Sequence, residues 1–356
     1  DQFIGPYQVP VSDNSMSLRS YTSNKGEVIA IGEKPTLALL NPAASMRMAL
    51  GEALTNMSGS VITGLENIQV SANWMAACGE NSDNLALRSG VEALSKIAVD
   101  LKVSIPVGKD SLSMRTKWTE GDNNYEVSSP LSGVITAMAP VDDVLNSVTP
   151  ELDIEKETFI VLVKLDKNNR LAGSIFSEVT ESKYQNTPDI DDTCKFEKMF
   201  STMQMLVKNK KILSMHDISD GGLVTTLLEM CFTKKVGMRV NLKEIQNIND
   251  MLFSEELGYA IQIEKIYLDE IIKTFEKNNI FIKNIAEIQD KNFSIIHNEN
   301  EVFNESVIKL EKYWRETSHA IQSIRDNKLI ADSELSLLDD DSFEGLKTNT
   351  SFNQTL

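Results

Sequence analysis

Along the first 150 residues, apolar and polar positions follow two rhythms. GEVIAIGE and TLALL have the character of strands. NPAASMRMALGEALTNMSGS instead repeats at helical spacing, with Met46, Ala49, Leu50, Ala53, Leu54 and Met57 on one stripe, Asn41 as N-cap, Pro42 in the first turn and Gly59 near the end. A second helix is predicted over SDNLALRSGVEALSKIAVDLK. VSIPVGKDS follows as strand and loop, then two strands, SMRTKWTEG and NYEVSSPLSGVITAMAPV, around the turn at Gly121 to Asn124.

A seam near Thr149-Pro150 precedes ETFIVLVKL, a continuous apolar run of the kind buried strands show. Beyond it the pattern predicts a helix at CKFEKMFSTMQMLVKNK, a strand, loop and helix in KILSMHDISDGGLVTTLLEMCF, a helix at LDEIIKTFEKNN, short strands up to VFNESV and a helix from about Tyr313 to Asn327. The expectation is an α/β protein with mixed sheets: one α/β domain over residues 1–150, a second over 151–327, and an acidic linker over 328–356.

Composition narrows the function. With 35 basic and 52 acidic residues the net charge is −17, which repels nucleic acid and anionic lipid in general. No run approaches the roughly eighteen apolar residues of a membrane helix, and the first residues do not read as a signal peptide, so a cytoplasmic location is expected. Asp1 reads as a cut point within a longer protein. Cys78, Cys194 and Cys231 form no CxxC pair, and three histidines are too few for a histidine-rich metal site.

Three oxygen-bearing clusters could carry chemistry. In HDISDGG, Asp217 projects from the end of a strand as a ligand for a hard cation, and Ser219 can face a phosphate. There Asp220 is expected to cap the next helix, while Gly221 and Gly222 make the turn. Glu52 and Asn56, four apart, share a helix face. Asp13, after Ser12, closes QVPVSD, read as a strand end. Each alone has a bland reading as cap, solvated face or turn; together they suit magnesium held through nucleotide phosphates. PVGKDS is no P-loop, because Asp110 stands at the Ser/Thr position and Val103 at the first glycine, and Lys109 reads as an exposed loop lysine.

DQFIGPYQVPVSD, GEALTN, SANWM, IPVGKDSLSM, HDISDGGL, LFSEELG and ESVIKLEKYWRETSHAIQSIRDN occur in the order and spacing of the large, single-chain form of phosphoribosylformylglycinamidine synthase, which the chain resembles over essentially its whole length. The resemblance implies the second of two aminoimidazole-ribonucleotide-synthetase-like halves of a glutamine-dependent ligase of purine biosynthesis. In that ligase ATP activates the amide oxygen of formylglycinamide ribonucleotide, and ammonia from glutamine displaces phosphate. It further implies Asp13, Glu52, Asn56 and Asp217 as Mg2+ ligands of an auxiliary, mainly structural ADP or ATP site, with Ser12 and Ser219 touching the nucleotide and no catalytic residue in this half. The first synthase half and a glutaminase domain would be its partners. A free-standing kinase-like member of the same superfamily and a non-binding scaffold half are the alternatives.

Overall fold

The computed structural model describes residues 2–243, 245–347 and 349. Fourteen strands are defined there: β1 Ser15–Ser20, β2 Ser23–Gly32, β3 Gln69–Met75, β4 Ser104–Ser111, β5 Arg115–Glu120, β6 Asn123–Ser128, β7 Ser132–Val141, β8 Thr158–Lys164, β9 Ser214–Asp217, β10 Gly237–Asn241, β11 Gly258–Glu264, β12 Phe281–Gln289, β13 Asn292–His297 and β14 Asn300–Ser306. The helices are α1 Pro35–Ala38, α2 Pro42–Met57, α3 Asn81–Asp100, α4 Ile175–Val179, α5 Thr193–Lys208, α6 Gly222–Phe232, α7 Ile248–Phe253, α8 Leu268–Glu276, α9 Val307–Arg325 and α10 Lys328–Ser336. They build the expected mixed α/β architecture.

The first sheet runs β1-β2-β7-β3-β4 and is antiparallel except for β3 with β4, which α3 connects. β2 and β7 alternate strictly, Val28, Ala30, Ile135, Ala137 and Ala139 facing α2 while Ile29 and Ile31 stay exposed on the opposite face. Gly32 lets the sheet approach the helix backbone: a Cβ there would lie 2.2 Å from the Ala49 carbonyl oxygen. The second sheet runs β14-β13-β10-β12-β8-β11-β9, with β10 and β13 as its parallel pair. One core joins α2 to both sheets, from Leu54 and Ile135 to Phe196, Tyr259 and Phe275, while a second core lies between the larger sheet and α6, α7 and α9.

Several local expectations change. TLALL is not a strand, because Pro35 opens the short helix α1. VSIPVGKDS is strand from Ser104 to Ser111 as β4, with no loop at its end, so Lys109 lies on a strand, where its Nζ donates to Ser111 Oγ at 2.7 Å. The long second strand of the hairpin divides into β6 and β7 around Pro130, which has no N–H for a ladder. β5 and β6 pair only with each other, as an exposed ribbon in which Trp118 stacks on Tyr125. The last long helix starts at Val307, since Val307, Leu310 and Trp314 extend its apolar stripe towards the N-terminus. The stretch expected as an acidic linker begins with α10 and a further short turn, held down by buried Ala331 and Leu338.

Candidate functional site

QVPVSD delivers Asp13 without being a strand. Its Val9 and Val11 are buried in the second core beside Leu223 and Leu227 of α6, which draws the following residues under the larger sheet. Asp13 thereby arrives beside β9, 203 residues away in the chain, where its Oδ1 lies 2.5 Å from His216 Nδ1. It also accepts the backbone N–H of Asp217. Asp13, His216 and Asp217 bring one ligand atom each within 4.8 Å of the others. β9 is an edge strand, antiparallel to β11, so the carboxylates gather where the N-terminal segment, α2 and β9 converge.

Glu52 projects from the side of α2 that faces Lys34 and the HDISDGG loop and is buried. Its Oε2 accepts the Glu33 backbone N–H at 2.7 Å, and its Oε1 accepts the Ser219 hydroxyl. Asn56, one turn further on, donates Nδ2 to the Ile31 carbonyl at 2.9 Å, and this bond fixes the orientation of its amide. Its Oδ1 is left buried without a partner, as is Asp217 Oδ2; these are two of five such side-chain atoms among the described residues. A buried oxygen that accepts nothing is costly, so two of them on neighbouring elements require an explanation. Hard oxygen donors, two carboxylates meeting at one point and unsatisfied lone pairs suit a divalent cation such as Mg2+.

The electrostatics agree with that need. Burial, then the neighbouring Asp13 carboxylate, pushes Asp217 well above the ordinary carboxylate range; His216 opposes and Glu52 adds to the rise. Burial likewise raises Asp13 against the pull of His216. Burial acts to lower His216, yet Asp13 and Glu229 hold it well above its ordinary value. Lys34 is buried too, and there Glu52, Asp220 and Glu255 overcome desolvation and keep the ammonium charged.

Not every expected residue takes its expected part. Asp220 does not cap α6: Gly221, at φ +84°, occupies the N-cap with no side-chain cap bond, and the Asp220 carboxylate instead binds Lys34 Nζ at 2.6 Å. The first free N–H there, of Gly221, is taken by Glu255 Oε1 at 3.0 Å. Ser12 Oγ donates to the Asn14 carbonyl at 2.6 Å, and Ser219 Oγ receives Lys34 Nζ at 3.3 Å, so both hydroxyls face protein groups. Sequence reasoning did not assign Lys34, His216, Glu229 or Glu255. A signal existed for Glu255 in SEEL, an acidic pair enclosed by apolar residues at the start of a strand; all of Ser254, Glu255 and Glu256 are buried.

Two family models match this chain, the FGAR-AT PurM_N-like domain over residues 1–140 and the C-terminal domain of AIR synthase related proteins over 158–298. The chain thus carries two AIR-synthase-like domains in series. Among solved structures of similar fold, T. maritima PurL complexed with FGAR superposes with a TM-score of 0.67 at 11% identity, over 87% of this chain and 48% of that one. T. maritima PurL complexed with ADP gives 0.65 at 11% identity, over 86% and 46%. Thiamine-monophosphate kinase from Stenotrophomonas maltophilia K279a gives 0.53 at 12% identity, over 81% and 92%. This chain thus spans about half the length of the PurL chains it resembles and nearly the whole of the kinase.

Proposed function

We propose that this chain is the second synthase half of a large, single-chain phosphoribosylformylglycinamidine synthase and holds an auxiliary Mg2+-nucleotide, ADP or ATP, of mainly structural value. The observation that carries the reading is the pair of orphaned oxygens, Asn56 Oδ1 and Asp217 Oδ2, beside the convergent Asp13 and Asp217 carboxylates. Asp13, Glu52, Asn56 and Asp217 would hold the ion, which when bound links protein oxygens to a diphosphate. Ser12 and Ser219 would turn their hydroxyls from Asn14 and Glu52 towards the nucleotide. The apolar outer face of the first sheet, with Ile29 and Ile31 exposed, fits a partner of like build, the first synthase half, and a glutaminase domain would complete the enzyme.

The test is direct. Protein unfolded gently after purification should release ADP or ATP detectable by mass spectrometry. For protein stripped of that nucleotide, added Mg-ADP at a hundred times its dissociation constant should stabilise the fold by about 2.7 kcal/mol, and Asp217→Asn should lose both effects. Melting of the stripped wild type that ignores Mg-ADP overturns the proposal and leaves a non-binding scaffold. The near-complete overlap with the kinase favours one other reading, a free-standing ATP-using enzyme. Steady ATP turnover by this chain alone would select it.

A further inference from the structure

Both ring nitrogens of His216 are committed to carboxylates, so the ring cannot itself be a ligand as it stands. Nδ1 meets Asp13 Oδ1, and Nε2 lies 2.7 Å from Glu229 Oε2 on α6. The second Glu229 oxygen accepts the indole N–H of Trp314, on α9, at 2.9 Å. The Trp314 ring packs at 5.6 Å from that of Phe232, whose side chain is fully buried. A continuous hydrogen-bonded path therefore runs from the acidic cluster through α6 to α9. The residues after α10 return to the N-terminal segment as well: the Leu346 N–H donates to the Pro6 carbonyl at 2.8 Å, and Phe343 meets Tyr7 edge to face.

We propose that Glu229 and Trp314 are positioning residues of the cation site, acting through His216 on Asp13; this rests on the reading of that cluster as a cation site. A carboxylate ligand turns about its last torsion, and an imidazole held on one side fixes which oxygen the protein occupies and which one faces the ion. His216 needs a hold of its own, and Glu229 supplies it. Glu229 is a long side chain on an exposed-to-buried boundary, and the indole N–H clamps it against a rigid, packed ring. The path ends in a packed indole on a helix of 19 residues. The ordering is completed when the chain folds, so the cation does not bear its entropy cost when it binds.

Mn2+ binding to the full chain, followed by electron paramagnetic resonance, tests the proposal with Trp314→Phe, Glu229→Gln and Asp217→Asn. Trp314→Phe keeps an aromatic ring, removes the N–H donor and trims the packed ring; it should weaken Mn2+ binding about tenfold with only a modest loss of melting temperature in chelator. In nitrogen-15 spectra of the wild type, the Trp314 indole resonance, assigned by its absence from Trp314→Phe, should move on addition of Mg2+. Those of Trp74 and Trp118, outside the path, should not. Wild-type Mn2+ affinity in both Trp314→Phe and Glu229→Gln, with affinity lost in Asp217→Asn, overturns the positioning role and leaves the site standing. Unchanged affinity in Asp217→Asn as well overturns the site and the path together. Should Trp314→Phe fail to fold, Glu229→Gln decides, with the Trp314 indole assigned by elimination from Trp74→Phe and Trp118→Phe.

Discussion

Two buried lysines show how placement decides the fate of a charge. Lys34, beside Glu52, Asp220 and Glu255, keeps its proton because three carboxylates outweigh desolvation. Lys164, at the end of β8, donates to the Asn168 carbonyl at 2.5 Å and to Asn169 Oδ1, both neutral acceptors. Burial therefore prevails over the more distant Glu256 and Asp166 and pushes its amine down to about 8. The unfolded chain retains that proton to about 10.5 and the folded chain only to about 8, so between these limits the unfolded state binds more protons and stability rises with pH. About 3 kcal/mol should appear across the window. Thermal melting at a series of pH values should find the wild type gaining on Lys164→Met from pH 8 upwards, whereas a constant difference between the two would show that the amine titrates normally.

Among the elements, α2 departs most from its sequence pattern. Its apolar stripe is real, yet Ser45, Met48, Gly51, Glu52 and Thr55 are buried as well, because the helix lies between two sheets instead of on one. That crowding explains why a residue that looks solvent-facing can meet Ser219, which follows β9 of the larger sheet. It also makes Gly32→Ala a severe change. The new methyl would meet the backbone of Ala49 at 2.2 Å and of Ala53 at 2.5 Å, atoms that cannot turn aside. A loss of about 3 kcal/mol is expected, read as a lower denaturant midpoint with an unchanged slope. At the start of α6 local preference also yields. Aspartate favours an N-cap, but Asp220 gains more from the Lys34 ammonium, and Gly221 takes the left-handed cap position without a Cβ penalty.

For the molecule as a whole, the shared core matters more than the seam between its sheets. Leu50 and Leu54 of α2, Phe196 and Phe200 of α5 and Tyr259 of β11 belong to one buried cluster, and the Tyr259 hydroxyl lies 2.7 Å from Ser58 Oγ at the end of α2. Neither sheet can unfold without exposing surface that belongs to the other. One unfolding transition is expected, with near-ultraviolet and far-ultraviolet circular dichroism coinciding and the calorimetric and van't Hoff enthalpies equal. Two resolved steps would show that the sheets keep separate cores.

Period and punctuation along the chain were enough to determine the long elements, α2, α3, α5 and β8, and the mixed α/β class. They depend on apolar spacing, caps and prolines, which act over a few residues. The chemistry-bearing residue types in HDISDGG, GEALTN and QVPVSD were also legible as oxygen donors. Only the tertiary structure decided that Val9 and Val11 anchor under the larger sheet and so carry Asp13 to His216. It alone decided that Lys34 and Glu255 close the neighbouring cluster, and that Trp314 reaches it through Glu229. Those contacts join residues tens to hundreds of positions apart, and their energy comes from burial and charge pairing in a core that exists only once the chain has folded.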